Sequence, residues 1–152
     1  MSDSHSGLAL VNIGQHNFAY APSAAFSYFP KHRSEISSKV QYILNGKDGA
    51  TNYRSGNELV WEFDGMQNIA KRIAVGGNGF VYLQTTDDMQ NGQAVAGGHR
   101  GRDIAFGPEI RCRVGKGLEL IGKYQRDMLV ENRPVGNSFW FQLGLPLGRP
   151  HE

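Results

Sequence analysis

The chain has 152 residues, with 16 Lys and Arg against 14 Asp and Glu, 20 glycines and one cysteine. That length fits one domain, and a net charge of +2 lacks the basic excess typical of nucleic-acid binders. A lone Cys112 excludes an internal disulfide framework and a Cys-rich zinc site.

No apolar run approaches the ~18 residues of a membrane helix. The opening Met-Ser-Asp-Ser-His-Ser-Gly lacks the basic and apolar regions of a signal peptide. Composition alone therefore reads as a soluble single domain, not exportable as written. A transmembrane β-barrel also lacks long apolar runs, because half its strand residues face a polar lumen.

Period-2 alternation, the strand signature, recurs along the chain. Seven strands are predicted: Phe18–Phe29, Ser34–Leu44, Tyr53–Asp64, Arg72–Thr86, Arg102–Val114, Leu118–Val130 and Ser138–Leu147. Residues 1–17 read as a loop remnant in which Leu8–Ile13 could form a short eighth piece, and 148–152 as a tail. Most of the seven exceed the ~5–6 residues of an ordinary soluble strand and match the ~9–11 of a tilted membrane strand.

Each strand divides into an apolar and a polar row, since successive side chains point to opposite faces. The first carries Phe18, Tyr20, Phe26 and Tyr28 near its ends. The second sets Ile36, Val40 and Tyr42 against Glu35, Lys39 and Gln41. The third sets Leu59, Trp61 and Phe63 against Arg54, Glu58, Glu62 and Asp64. The fifth sets Ile104, Phe106, Pro108, Ile110 and Cys112 against Asp103, Glu109, Arg111 and Arg113. The sixth sets Leu118, Leu120, Gly122 and Tyr124 against Glu119, Lys123, Gln125 and Asp127. The seventh sets Phe139, Phe141, Leu143 and Leu145 against Ser138, Trp140 and Gln142.

The connections alternate in length. Pro30–Arg33 and the Gly115-Lys116-Gly117 hairpin are short, and Gly65–Lys71 is intermediate, with Asn68–Lys71 able to extend the next strand. Asn45–Asn52, the Gly-rich Asp87–Gly101 and Glu131–Asn137 are longer. Short turns at one rim and long loops at the other describe an all-β, antiparallel up-and-down meander of the barrel kind. Aromatics near the ends of apolar rows, and opposite charges able to pair within polar rows, favour lipid outside and a wet lumen inside.

Bacterial single-chain barrels have an even number of strands, and seven is odd. The first and last strands both run from the long-loop rim to the short-turn rim. An odd number of further N-terminal strands and a signal peptide would complete such a barrel. The expectation is thus the C-terminal part of a longer barrel, whose two open edges are templates for pairing with a second chain.

Several stretches in order resemble a known family: Asn17-Phe18-Ala19-Tyr20-Ala21-Pro22, Asn52-Tyr53-Arg54-Ser55-Gly56-Asn57-Glu58, Phe106-Gly107-Pro108-Glu109-Ile110, Gly122-Lys123-Tyr124-Gln125, Glu131-Asn132-Arg133-Pro134-Val135-Gly136 and Phe139-Trp140. Together they resemble the C-terminal half of the outer-membrane family named for the meta-pathway of phenol degradation, which includes transporter-like, sphingosine-induced outer-membrane proteins. The resemblance implies a bacterial outer-membrane barrel that passes small hydrophobic or aromatic compounds, with lipid and solute as partners. It runs from about Gly14 to Leu147. The absent N-terminal half and the tail Gly148-Arg149-Pro150-His151-Glu152 depart from the family pattern.

Lys39, Arg54, Glu58, Glu62, Asp103, Glu109, Arg111, Arg113, Glu119, Lys123, Gln125 and Asp127 are expected to line the lumen, as a selectivity constriction or as stabilising ion pairs. Arg111→Ala is expected to alter permeation more than folding. Phe18, Tyr20, Phe26, Tyr28, Trp61, Phe63, Tyr124, Phe139 and Phe141 are expected to face lipid or form girdles.

No catalytic residue, metal or cofactor is expected. Glu58 and Glu62 on one strand face lie roughly 13 Å apart at ~3.3 Å per residue, too far for a retaining glycosidase pair. The histidines at 5, 16, 32, 99 and 151 form no metal spacing. Asp87, Asp88 and Asn91 read as a solvated turn before a calcium loop. Two alternatives stay open: a soluble β-barrel or clam binding an apolar ligand, and a non-functional truncated fragment.

Overall fold

A computed structural model describes residues 18–30, 33–115 and 117–145. Expectations for residues 1–17 and 148–152, the end of the seventh strand beyond 145, Lys116, and the histidines at 5, 16, 32 and 151 lie outside the described residues.

The described chain is all β and antiparallel. Its strands are β1 (Ala19–Tyr20), β2 (Ser23–Tyr28), β3 (Ser34–Asn45), β4 (Tyr53–Arg54), β5 (Glu58–Ala70), β6 (Ile73–Gln84), β7 (Met89–Gln90), β8 (Gln93–Ala94), β9 (Arg102–Val114), β10 (Leu118–Glu131) and β11 (Asn137–Gly144). One sheet runs β3-β5-β6-β9-β10-β11 in chain order, with β1 and β2 both paired to β3. The expected first strand is thus present in two pieces. They part at Pro22, which has no N–H to give to the ladder but whose carbonyl accepts from the Tyr42 amide at 3.0 Å.

Two boundaries differ from expectation. Tyr53 and Arg54 do not begin the third wall strand. They form β4 in a separate small sheet with β7 and β8. The wall strand instead starts at Glu58 and continues through Gly65 to Ala70, so the expected intermediate connection shrinks to Lys71 and Arg72. A register shift between Asn68 and Ala70 absorbs one extra residue there, as a β-bulge does. Within the long loop after β6, Asn91 (φ 52°) and Gly92 (φ 82°) close a hairpin between β7 and β8. Both turn positions need positive φ, which Asn-Gly supplies.

Cα-paired residues share a face, so the register fixes the sides. Phe26, Ser38, Phe63, Gly79 and Phe106 lie at one step on one face across five strands. Lys39, Glu62 and Phe80 lie on the other. The sheet curls toward this second face. Arg111 on β9 and Glu35 on β3 make an ion pair at 2.6 Å although β5 and β6 lie between them. Three strand spacings on a flat sheet measure roughly 14 Å, more than the two side chains can span. The edge strands β2 (Ala25, Ser27) and β11 (Trp140, Gln142) line one common cavity of about 570 Å³, while no ladder joins them among the described residues.

The burial is inverted relative to a water-soluble fold. Phe141 is 87 % exposed, whereas Glu109 is 3 % exposed. Among the described residues the buried hydrophobics are Met66, Ala74 and Ala105, and no large side chain is fully buried.

Close strand approach explains the glycine run in β6. A Cβ at Gly76 would strike the Gly65 carbonyl, and one at Gly79 would lie 2.8 Å from the Phe63 ring.

Candidate functional site

The inward rows carry the charge. β3 supplies Glu35 and Lys39, and β5 supplies Glu58, Glu62 and Asp64. β9 supplies Asp103, Glu109, Arg111 and Arg113, and β10 supplies Glu119, Lys123 and Asp127. Ion pairs knit them together. Lys39 Nζ lies 3.1 Å from Glu62, Lys123 Nζ 3.3 Å from Glu109, and Arg113 Nε 2.9 Å from Glu119. Arg111 reaches across the interior to Glu35. Buried charges require such partners, and placing them on one concave face is what alternation on every strand provides.

Unpartnered polar atoms point into this interior. Asn78, 2 % exposed, donates through its amide to the Gly107 and Pro108 carbonyls at 3.2 and 3.1 Å. Its Oδ1 takes no hydrogen bond, nor does Asp64 Oδ2. The central cavity also has an apolar lining of Val60, Phe80 and Trp140, on the same face as the charges.

At the long-loop rim the small sheet leans over the wall. Asp88 is its anchor. Its carboxylate accepts from the Tyr53 hydroxyl, from the Gly56 amide at 2.8 Å and from Gln84 Nε2 at 2.7 Å. Below it lies a cavity of about 680 Å³ bordered by Tyr53, Glu58, Tyr82, Gln84, His99 and Arg133. Arg133 sits 3.9 Å over the Tyr82 ring and 3.9 Å from Asp103. Asp87 pairs with Arg100 at 2.6 Å. The two aspartates expected in a solvated turn are thus tied to protein partners, and no metal-holding group occurs among the described residues.

The outward rows are nearly free of charge: Arg102, Arg126 and Glu131 are the charged residues on the described wall strands there. Trp61 satisfies its indole N–H on this face by donating to Ser38 Oγ at 2.8 Å. Tyr124 and Phe139 stack with ring centroids 4.9 Å apart.

The family model described as "Putative MetA-pathway of phenol degradation" matches residues 3–143. The chain belongs to this family. The family is named for phenol degradation. No curated protein and no solved structure matches it significantly.

For this family member, Lys39, Glu58, Glu62, Asp103, Glu109, Arg111, Arg113, Glu119, Lys123, Gln125 and Asp127 lie on the inward face. Arg54 lies in β4, in the separate small sheet, with the non-strand residues 55–57 between it and the wall. Tyr20, Phe26, Tyr28, Trp61, Phe63, Tyr124, Phe139 and Phe141 lie on the outward face, and Phe18, just before β1, is 76 % exposed. The reading of polar rows missed Asn78, Phe80, Tyr82, Asp88 and Arg133.

The loop anchor has a pH signature. The hydrogen bond to Asp88, then burial and the Asp88 charge, push the Tyr53 phenol up to about 12. A raised folded pKa contributes stability that is complete below the ordinary tyrosine value of about 10 and lost as pH rises through the folded value. In ultraviolet titration Tyr53 is therefore expected to ionise last, near pH 12. Asp88→Ala should return it toward its ordinary value and speed proteolysis within 46–57 and 85–101, with the wall intact. A Tyr53 titration unchanged by Asp88→Ala would contradict the assignment.

Proposed function

We propose that this chain forms the wall of an outer-membrane β-barrel that passes small hydrophobic or aromatic compounds passively, with no catalytic residue and no cofactor. The inverted burial carries the reading: aromatic and aliphatic rows lie exposed on the convex face, while Asp103 and Glu109 lie buried on the concave one. In water, an apolar surface of that extent would exceed the few hundred Å² that soluble monomers expose. In a bilayer the same face meets hydrocarbon, and the ladder satisfies the backbone groups that lipid cannot.

The inner surface suits amphipathic solutes, because Val60, Phe80 and Trp140 offer apolar contact beside the charged groups. The mouth under β4, β7 and β8 is the entry screen. β2 and β11 run in the same direction, so antiparallel closure takes an odd number of further strands, from a second chain or from strands beyond the described residues. Lipid, solute and the edge-pairing strands are the partners of this reading.

Planar-bilayer recording on the full chain tests it. Discrete conductance steps that fall when catechol is added are expected. No conductance, together with a clean monomer in detergent-free buffer, would instead support a soluble clam.

A further inference from the structure

The interior is acidic although the chain is basic overall. Its described wall strands present eight carboxylates and four cations inward, against a net charge of +2 for the whole sequence. Each of the four cations is engaged by one carboxylate: Lys39 by Glu62, Arg111 by Glu35, Arg113 by Glu119 and Lys123 by Glu109. Glu58, Asp64, Asp103 and Asp127 remain.

These four differ in surroundings. Asp103 has Arg133 at 3.9 Å. Asp127 accepts from the Gly136 amide at 2.7 Å, and Glu58 accepts from Asn45 Nδ2 at 3.1 Å. Neutral donors orient these two carboxylates without cancelling their charge. Asp64 makes no ion pair among the described residues, and its Oδ2 takes no hydrogen bond. Beside it the Asn78 Oδ1, a second acceptor, is also unpartnered.

Apart from Arg133, which lines the mouth beside Asp103, the further positive charge lies elsewhere. Lys71 and Arg72 form the short β5–β6 turn, Arg54 and Arg100 lie in the long loops, and Arg102 and Arg126 point outward. A water path bounded by low-dielectric walls focuses the field of the groups that line it. Rings of Asp and Glu make such paths cation-preferring. A solute beside Asp64 or Glu58 would sit within the Debye length of about 8 Å at physiological salt, so screening would not erase the effect.

We propose that this interior selects against anions, admitting cationic and neutral solutes and excluding carboxylates and phenolates, with Glu58 at the mouth and Asp64 at mid-depth setting the preference. This rests on the channel reading above. For an aromatic solute it means that the neutral form crosses and the ionised acid does not.

Reversal potentials of the full chain in a KCl gradient test it. The unaltered chain should pass K⁺ severalfold better than Cl⁻. The Asp64→Asn, Glu58→Gln double variant should move that ratio toward one, and Lys39→Gln, which frees Glu62, should raise it. An anion-preferring chain, or a ratio that neither variant moves, would overturn the proposal and leave the channel reading standing. If the double variant fails to insert, Lys39→Gln decides: a raised ratio supports the proposal, and an unchanged or lowered one overturns it. No conductance at all from the unaltered chain would reject the channel reading, and the selectivity with it.

Discussion

Gly107→Val is expected to abolish assembly of the β9–β10 part of the wall. A Cβ at Gly107 would overlap the Tyr124 carbonyl and come within 3.1 Å of the Gln125 Cα. Both are backbone atoms of the neighbouring strand, so no rotamer change relieves the clash. Overpacking a site where side chains can adjust costs ~1–3 kcal/mol, and here the ladder itself must separate. The fraction of protein showing heat-modifiable gel migration should collapse. Gly122→Ala is the control, since its Cβ would meet Ile110 Cγ2 at an ordinary 3.5 Å and the fraction should hold. Normal assembly of Gly107→Val would refute the close approach of β9 and β10.

Arg111→Ala is expected to widen the interior while the wall still assembles. The guanidinium spans two intervening strands to Glu35. Both side chains border a cavity of about 450 Å³ at the short-turn end and neither borders the central one of about 570 Å³. Removing Arg111 takes away the strut at that end. Breaking one partner of a fully buried ion pair costs ~3–5 kcal/mol. These side chains keep 17 % and 21 % exposure, which places the loss below that range. The ladders on both sides of β9 remain, so single-channel conductance should rise severalfold with assembly retained. Lost assembly would mean the pair is purely structural, and retained assembly with unchanged conductance that it is no strut of the interior.

Alternation was legible where each strand had one apolar and one charged row. On β9, and on β10 as far as Asp127, that sufficed to sort faces residue by residue, because pleating makes side-chain direction a matter of parity; beyond it a register shift turns Glu131 outward. β6 was opaque for the same reason. Its inward residues Ala74, Phe80 and Tyr82 are as apolar as its outward ones, so no polar row marked the aromatic part of the interior. Parity also misled at Arg54, which continues the pattern of Glu58 and Glu62 in sequence, while the non-strand residues 55–57 separate it from the wall.

Met66 in the polar row and Gln67 in the apolar row interrupt the period that precedes them, and this hid the continuation of β5. The Asn91-Gly92 turn was a local signal for the β7–β8 hairpin. The role of Asp88 had no local signal, because its partners lie at Tyr53, Gly56 and Gln84. The direction of curl depends on contacts between strands three places apart, which no periodicity encodes.

The proposed channel turns its apolar face to lipid and its charged face to water. The two tryptophans sit on opposite faces: Trp61 outward beside Val40 and Val81, Trp140 inward beside Lys123. Single-tryptophan variants Trp140→Phe and Trp61→Phe, reconstituted in bilayers containing brominated lipid, separate them by fluorescence quenching. Strong bromolipid quenching of Trp61 with little from aqueous acrylamide is expected, and the reverse for Trp140. Bromolipid quenching of Trp140 with acrylamide quenching of Trp61 would contradict it.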